Sequence, residues 1–355
     1  MSAPSTVLDG AGTTSAAEVL RRCRELVRPA LAAAVGELHP WTGEMAAFSL
    51  GWRDADGTPA PDASEGKGVR QALAVLGAEA AGAHGSVAVP GAVAVELIHT
   101  FSLLHDDVMD GDATRRRRET VWKAYGTGPA VLAGDALFAL AVQTLAETPT
   151  AATGAAVRQL STTLTELVRG QAEDLSFEAR PWTGPDAVRP EEYRSMAERK
   201  TGALLGCATA LGALLGGAST ETVTALDRAG RHLGLAFQAV DDLLGIWGDP
   251  SVTGKPVHSD LRNRKKTHPV LTALATDDRA SRELAALLHS PTPLDDQSLL
   301  HASRLIDESG GRAAVLDETR EQLAAAHACL HDVPLSPVTA RELETLMGFL
   351  LHRTV

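Results

Sequence analysis

Aspartates occur in two tight clusters that lie far apart in the sequence. Asp106, Asp107 and Asp110 form a DDxxD pattern, and Asp241 and Asp242 form a second pair. Carboxylates that share one face of a helix repel one another unless a cation lies between them. Mg²⁺ prefers oxygen ligands and usually bridges carboxylates to substrate phosphates. Together the clusters predict a magnesium-dependent polyphosphate site, whereas a DDxxD alone is more often a solvated acidic helix end.

Basic residues follow both clusters, as the binding of a polyphosphate would require. Arg115 and Arg116 come after the first cluster, and Lys255 and Lys265 come after the second. Lys200 precedes a threonine on a separate predicted helix. The sequence has no GxxxxGK[ST] phosphate loop, which argues against a P-loop nucleotide enzyme.

Helices must position these residues, because the chain carries few strand signals. Val93, Leu97, Phe101 and Leu104 recur at helical spacing before the first cluster, which should therefore end a helix. Only 4% of the residues are aromatic, and no stretch alternates cleanly between apolar and polar residues. We therefore predict an all-α fold, a single large helical bundle in which facing helices can build a metal site. The other predicted helices cover about 16–37, 69–81, 130–146, 151–178, 191–217, 223–247 and most of 267–355.

Composition limits the classes of protein to which the chain can belong. The net charge of −12 argues against broad nucleic-acid binding. The three cysteines are widely spaced, and no basic and apolar leader is visible, so we expect a cytoplasmic protein. Residues 1–15 should be a disordered tail before one domain at 16–355. Residues 201–220 carry no charge, and a buried core helix explains them better than a membrane span.

At this point the chain resembles the polyprenyl synthetase family of trans-isoprenyl diphosphate synthases. The first acidic motif is LLHDDVMD at 103–110, and the second runs from Phe237 to Val270. Between them lie RGQAED at 169–174 and YRSMAERKTGALL at 193–205, in the family's order. The resemblance covers about residues 60–270 and implies the isoprenoid synthase fold, with helices around a central cavity. It also implies a homodimer without a membrane span.

The resemblance implies roles for individual residues. Asp106, Asp110 and Asp241 would bind three Mg²⁺ that hold the allylic diphosphate, helped by Asp107 and Asp242. The implied diphosphate contacts are Arg115, Lys200 and Lys255 for the allylic substrate, and Lys67, Arg70, His99 and Arg116 for isopentenyl diphosphate. Thr201 and Gln238 would lie by the reacting carbons, and Lys265 is a further substrate-binding candidate. His105, inside the first motif, should pack or be solvated, because Mg²⁺ prefers oxygen.

Three positions depart from the family pattern. Gly68 stands where an arginine is usual, between the retained Lys67 and Arg70. Gly245 ends the second motif where an aspartate is usual, so we expect metal binding to be weakened but not abolished. Residues 117–119 are Arg-Arg-Glu where the family has Gly-x-Pro.

Several functions remain open. Head-to-tail condensation of isopentenyl diphosphate with allylic diphosphates would give geranylgeranyl diphosphate (C20), because Ser102 is small one turn before Asp106. Phe101 beside it leaves farnesyl diphosphate (C15) as the alternative. A terpene cyclase would need a hydroxyl residue and a glutamate where Gly245 and Asp249 stand. A weakly active subunit or cargo protein with the same fold is the non-catalytic alternative.

Overall fold

The computed structural model describes residues 14–60, 66–254, 256–331 and 333–351. The predicted disordered tail at 1–15 therefore falls almost wholly outside the described residues. The first helix begins directly after it, where Ser15 and Glu18 form a capping box. Such reciprocal bonds satisfy backbone N–H groups that have no partner inside the helix. The start of the helix at this point thus has a local cause in the sequence.

Helices make up nearly all of the described secondary structure, which confirms the predicted all-α class. In chain order they are α1 (Ala16–Gly36), α2 (Pro40–Ser49), α3 (Val69–Ala80), α4 (Val89–Met109), α5 (Val121–Tyr125), α6 (Thr127–Ala146), α7 (Thr153–Glu178), α8 (Pro190–Ala197), α9 (Ala203–Leu215), α10 (Thr220–Trp247), α11 (Pro250–Thr253), α12 (Ser259–Arg262), α13 (His268–Ala275), α14 (Arg279–His289), α15 (Asp296–Glu308), α16 (Gly311–Leu330) and α17 (Pro337–Leu351). A 3₁₀ turn (Gly85–Ala88) precedes α4, and a π-helical turn (Glu198–Gly202) joins α8 to α9. Two short antiparallel strands, β1 (Thr114–Arg115) and β2 (Arg118–Glu119), follow α4.

The helices that carry the motifs begin and end within three residues of their predicted bounds. The short elements were not predicted; they include α2, the β1–β2 hairpin, α5, α11 and α12. Pro40 begins α2 where a break was expected, because a proline in the first turn removes no helical hydrogen bond. The β1–β2 hairpin is too short to produce an alternating pattern in the sequence.

The two largest apolar clusters among the described residues hold most of the bundle together. The larger core joins α1, α3, α4, α6, α7 and α9, with Leu73, Leu97, Leu137 and Leu204 fully buried. The smaller core joins the end of α10 to α12–α15 around Ile246. Helix α4 packs on α3 and α6, while α10 packs on α9 and α16. The helices that carry the two aspartate clusters thus have different main neighbours, although α9 packs on both.

Glycines let α9 approach its neighbours closely, which explains the uncharged stretch at 201–220. A Cβ at Gly212 would overlap the carbonyl oxygen of Ala74 on α3. A Cβ at Gly230 on α10 would lie 2.7 Å from both Gly206 Cα and Leu205 O. Every residue from Ala203 to Ala213 is buried. The structure thus confirms that this stretch is a buried core helix.

Replacing Gly212 with alanine should destabilise the fold by about 1–3 kcal/mol, because the added methyl group forces α9 away from α3. Gly128 on α6 is the matched control, since a Cβ there would meet no atom within 4 Å. Chemical denaturation of both variants measures the difference in the free energy of unfolding. Equal stability of the two variants would show that the α3–α9 contact is not as close as described.

Candidate active site

The first acidic motif lies at the carboxyl end of α4, with Asp110 as its C-cap. Negative side chains are unfavourable there, because the last helical carbonyls already carry partial negative charge. Asp107 is 4% exposed, and its Oδ1 lies 2.7 Å from Arg115 Nη2. Burial raises the pKa of Asp106 to about 6, an effect that Lys200 opposes and Asp110 reinforces. A bound cation would relieve this crowding of negative charge.

The β1–β2 hairpin carries the arginines that follow this motif. Its two-residue turn, Arg116 and Arg117, has φ values of 51° and 64°, a conformation that favours glycine or asparagine. Arg118 fixes the hairpin by donating to Phe48 O at 3.1 Å and to Asp54 Oδ1 at 3.0 Å. Arg118 thus anchors a turn in which Arg117 stands at the position where the family usually has glycine.

The π-helical turn presents Lys200 and Thr201 to the site. A π turn inside an α-helix is rare and commonly marks a functional position. Lys200 Nζ lies 2.6 Å from Asp174 Oδ2 on α7. Thr201 Oγ1 donates to Gln238 Oε1 on α10 at 2.8 Å. The turn therefore connects α7 to α10 beside the predicted site for the allylic diphosphate.

Asp242 is turned towards protein donors. Its carboxylate accepts from Tyr193 Oη at 2.7 Å, Gln238 Nε2 at 2.9 Å and the His268 backbone N–H at 3.1 Å. Burial raises its pKa to about 7, although Tyr193 and Gln238 lower it. Asp242 thus orients Gln238, whose carbonyl in turn accepts from Thr201. Tyr193 was not assigned a role from the sequence, although it lies two helical turns before Lys200.

Lys265, in the second motif, reaches an aspartate of the first motif. Its Nζ lies 3.5 Å from Asp110 Oδ2, and both Asp110 and Asp260 raise its pKa against the effect of burial. The Asp260 carboxylate fills the space beside Gly245, where a Cβ would overlap it. The side chain that the family pattern expects at 245 would therefore displace a carboxylate that is already there. Sequence reasoning missed Asp260, because no local spacing relates it to Gly245.

A cationic pocket lies on the α3 side of the site. Burial lowers the pKa of Arg70 to about 10, against the influence of Glu96 and Asp241. Burial, together with Arg70 and Arg116, holds the pKa of His99 well below its usual value. His99 is therefore neutral here, and Arg70 and Arg116 supply positive charge around the buried Glu96. Such a pocket is suited to a diphosphate.

Lys67 lies at the edge of this pocket, and its Nζ is 5.2 Å from the centre of the Phe349 ring on α17. Lys255, predicted to bind the allylic diphosphate, lies outside the described residues. Within the part of the chain that is described, no three His, Cys, Asp or Glu side chains are gathered into a ready metal site. The donors nevertheless fit Mg²⁺, because Asp106, Asp110 and Asp241 offer only oxygen and diphosphate oxygens can complete the coordination.

The residues before the first motif pack against α6. The Phe101 ring meets Phe138 edge to face at 5.5 Å and His105 at 4.7 Å between ring centres. His105 Nε2 lies 3.1 Å from Val131 O, as the expected packing role implies. Ser102, in line with Asp106 on the next turn, bonds only to the His99 carbonyl among the hydrogen bonds described, at 2.8 Å.

Comparison with known proteins places this site in a family. The model of the family described as polyprenyl synthetase matches residues 62–304, more than half of the chain. The chain belongs to the polyprenyl synthetase family. The synthase is 48% identical to a polyprenyl synthetase of Streptomyces coelicolor A3(2), whose crystal structure it matches with a TM-score of 0.89 over 94% of this chain and 98% of that one.

Two curated relatives from Mycobacterium tuberculosis have different products in their names. The synthase is 43% identical to a (2E,6E)-farnesyl diphosphate synthase over 94% of this chain and 92% of the relative. It is 45% identical to a geranylgeranyl diphosphate synthase over 90% of each. The protein is thus a trans-isoprenyl diphosphate synthase, a short-chain prenyltransferase that works head to tail. These similarities leave the length of its product open between C15 and C20.

Proposed function

We propose that this synthase condenses isopentenyl diphosphate with allylic diphosphates and releases geranylgeranyl diphosphate (C20). The observation that carries the proposal is the placement of Phe101. Its ring packs against His105 and against Phe138 on α6. The position in line with Asp106 is then the small Ser102. A growing prenyl tail that runs along α4 away from the diphosphate would pass this serine, and each added isoprene needs further apolar depth.

The site residues are proposed to divide into metal ligands and substrate contacts. Asp106, Asp110 and Asp241 would hold Mg²⁺, three ions in all as the resemblance implies, and members of the family use this metal. When bound, Mg²⁺ would neutralise charge on the diphosphate of the allylic substrate, which is the leaving group. Asp107 acts through Arg115, and Asp242 acts through Gln238, because each carboxylate accepts a hydrogen bond from that partner.

Protein cations stabilise the negative charge that develops on the departing pyrophosphate. Lys200, Arg115, Lys255 and Lys265 are the proposed contacts, and such fixed charges act strongly where water is excluded. Isopentenyl diphosphate binds at Lys67, Arg70, His99 and Arg116, and its double bond attacks the allylic cation beside Thr201 and Gln238. The released pyrophosphate takes the proton. The apolar walls keep out water, which would quench the cation.

Replacing Ser102 with phenylalanine should shift the main product from C20 to C15, because the ring would block the path beside Asp106. Products made from labelled isopentenyl diphosphate and geranyl diphosphate, after removal of phosphate, are sized by chromatography. Ser161→Phe on the exposed side of α7 is the control and should leave product length unchanged. A wild-type enzyme that already stops at C15 would overturn the proposed product while leaving the synthase assignment intact.

The synthase is further proposed to be a homodimer that contacts its partner through α6. Helices 85–109 and 127–146 are both long and apolar enough to cross a membrane, a test that core helices also pass. Within an 18-residue apolar window of each, 61% of the first is buried in the bundle, whereas only 39% of the second, in α6, is buried. Val131, Leu132 and Phe138 remain 38%, 49% and 37% exposed on α6. An apolar surface of this kind marks a protein–protein contact. We place this cytoplasmic enzyme in solution as a dimer.

Leu132→Glu should therefore yield a monomer in sedimentation velocity measurements, because the added charge would be buried at the contact. Leu300 on α15 has a similar exposure, 44%, and Leu300→Glu is the matched control that should remain dimeric. If Leu132→Glu sediments as the wild type does, α6 is not the dimer contact.

A further inference from the structure

The loop before α3 borders the cationic pocket. Two of its residues there are glycines, Gly66 and Gly68, and the guanidinium of an arginine from another segment lies beside each. Gly66 has φ +80°, and a Cβ there would lie 2.8 Å from Nη1 and Nη2 of Arg116. Gly68 has φ +67°, and a Cβ there would lie 3.7 Å from Nε and Nη2 of Arg24. Arg116 is already a proposed ligand of isopentenyl diphosphate. Arg24, in the middle of α1, belongs to none of the family motifs.

The backbone explains why a glycine occupies position 68. Gly68 is the N-cap of α3 and has a left-handed conformation. A side chain with a Cβ is disfavoured in that conformation by about 1 kcal/mol. The arginine that the family pattern expects would be strained here, and its stem would meet the Arg24 guanidinium. The loop has therefore lost a positive charge from its own sequence and gained one from α1 in the same space.

Contacts of Arg24 hold its guanidinium at the pocket. Arg24 Nη2 donates to Gly66 O at 2.9 Å, and α1 packs directly on α3. Together with Arg70 and Arg116, Arg24 lowers the pKa of the buried Glu96, which burial alone would raise further. Arg24 thus belongs electrostatically to the same pocket as the residues proposed for isopentenyl diphosphate. A guanidinium has five N–H donors, so one bond to a carbonyl leaves others for phosphate oxygens.

We propose that Arg24 binds the diphosphate of isopentenyl diphosphate and supplies the cation that Gly68 lacks. This inference rests on the proposed use of the α3 pocket for that substrate. Arg24 does not contact the allylic diphosphate, which binds at the acidic motifs. Its loss should therefore affect the two substrates unequally, which loss of packing would not do.

Steady-state kinetics test the inequality directly. Arg24→Ala should raise KM for isopentenyl diphosphate about 10- to 100-fold, the usual effect of losing a charged hydrogen bond, with KM for the allylic substrate nearly unchanged. Arg24→Lys should have a KM for isopentenyl diphosphate between those of the wild type and Arg24→Ala, since lysine keeps the charge but loses the planar fork of donors. Arg21→Ala is the matched control, because Arg21 lies one turn earlier on α1 and pairs with Glu25 at the surface. Equal KM values in Arg24→Ala and Arg21→Ala would overturn the proposal, as would an equal rise for both substrates.

An exchange of positions adds a second test. The double variant Arg24→Ala with Gly68→Arg returns the guanidinium to the loop and should recover part of the lost affinity, whereas Gly68→Arg alone should not improve on the wild type. If circular dichroism shows that Arg24→Ala and the double variant are both folded and the double variant recovers no affinity, the two arginine positions do not share a binding space.

Calorimetric titration with isopentenyl diphosphate alone separates this inference from the function on which it rests. Wild-type protein that binds none of it would refute the proposed pocket itself. Wild-type and Arg24→Ala proteins that bind it equally well would refute only the role of Arg24.

Discussion

Replacing Asp106 with asparagine should lower the rate of prenyl transfer about a thousandfold, the largest effect expected of any single substitution in the chain. Asp106 is the first carboxylate of the first motif, and burial raises its pKa to about 6, although the nearby Lys200 opposes that rise. The amide keeps the shape of the side chain but removes the negative charge that the metal needs. Initial rates measured over a range of Mg²⁺ concentrations report both the loss of rate and the weaker metal dependence.

The pH profile gives this prediction a second measurement. A carboxyl group with a pKa of about 6 is protonated below that value, so wild-type Mg²⁺ binding should weaken as the pH falls through 6. The Asp106→Asn variant should lack this step. Asp135→Asn on α6 is the control. Asp135 lies outside the site and is exposed, but its Oδ1 is 3.9 Å from Nε2 of His105, the residue next to Asp106. A variant at 106 with near wild-type rates would show that the first motif does not hold the metal.

Lys200→Met should lower kcat/KM for the allylic diphosphate about 100- to 1,000-fold, because it removes a fixed cation from the leaving group. Lys200 Nζ lies 2.6 Å from Asp174, and Asp106 and Asp174 keep its pKa raised despite burial. The ammonium group is therefore charged and already oriented before substrate binds. Equilibrium binding of inorganic pyrophosphate in the presence of Mg²⁺ should weaken in parallel.

The neighbouring residue provides a close control for Lys200. Arg199 also pairs with α7, because its Nη1 lies 2.6 Å from Glu173 Oε1. Both residues of this pair come one position before those of the Lys200–Asp174 pair. Arg199→Met removes an ion pair of the same kind without touching the proposed site, so it should retain most of the activity. Similar losses in both variants would indicate that these ion pairs hold the π turn in place and that Lys200 has no separate role in the reaction.

The helices and their motif residues could be predicted because the relevant signals are local. The apolar residues before Asp106 recur every three or four positions, and α4 ends where that recurrence stops. Glycines in the stretch 201–220 indicated close packing, and Gly212 does lie against Ala74. The family resemblance added the order of the motifs and from it the expected isoprenoid synthase fold.

Contacts between distant segments could not be predicted in the same way. Arg24 lies beside Gly68 from 44 positions earlier, and Asp260 on α12 fills the space beside Gly245 from 15 positions later. Both glycines were interpreted from the sequence as losses of charge, whereas in the fold a charged side chain from another element lies at each one. The π turn at Lys200 was also hidden, because its residues continue the helical pattern on both sides.

One incubation tests the central claim most directly. The purified protein is mixed with labelled isopentenyl diphosphate and, separately, with dimethylallyl, geranyl or farnesyl diphosphate, with Mg²⁺ or with a chelator. The account predicts label in a C20 alcohol after removal of phosphate, only when an allylic partner and Mg²⁺ are both present. Hydrocarbon formed from a prenyl diphosphate alone would indicate a cyclase. Failure to incorporate label with every partner would contradict the assignment of this site to prenyl transfer.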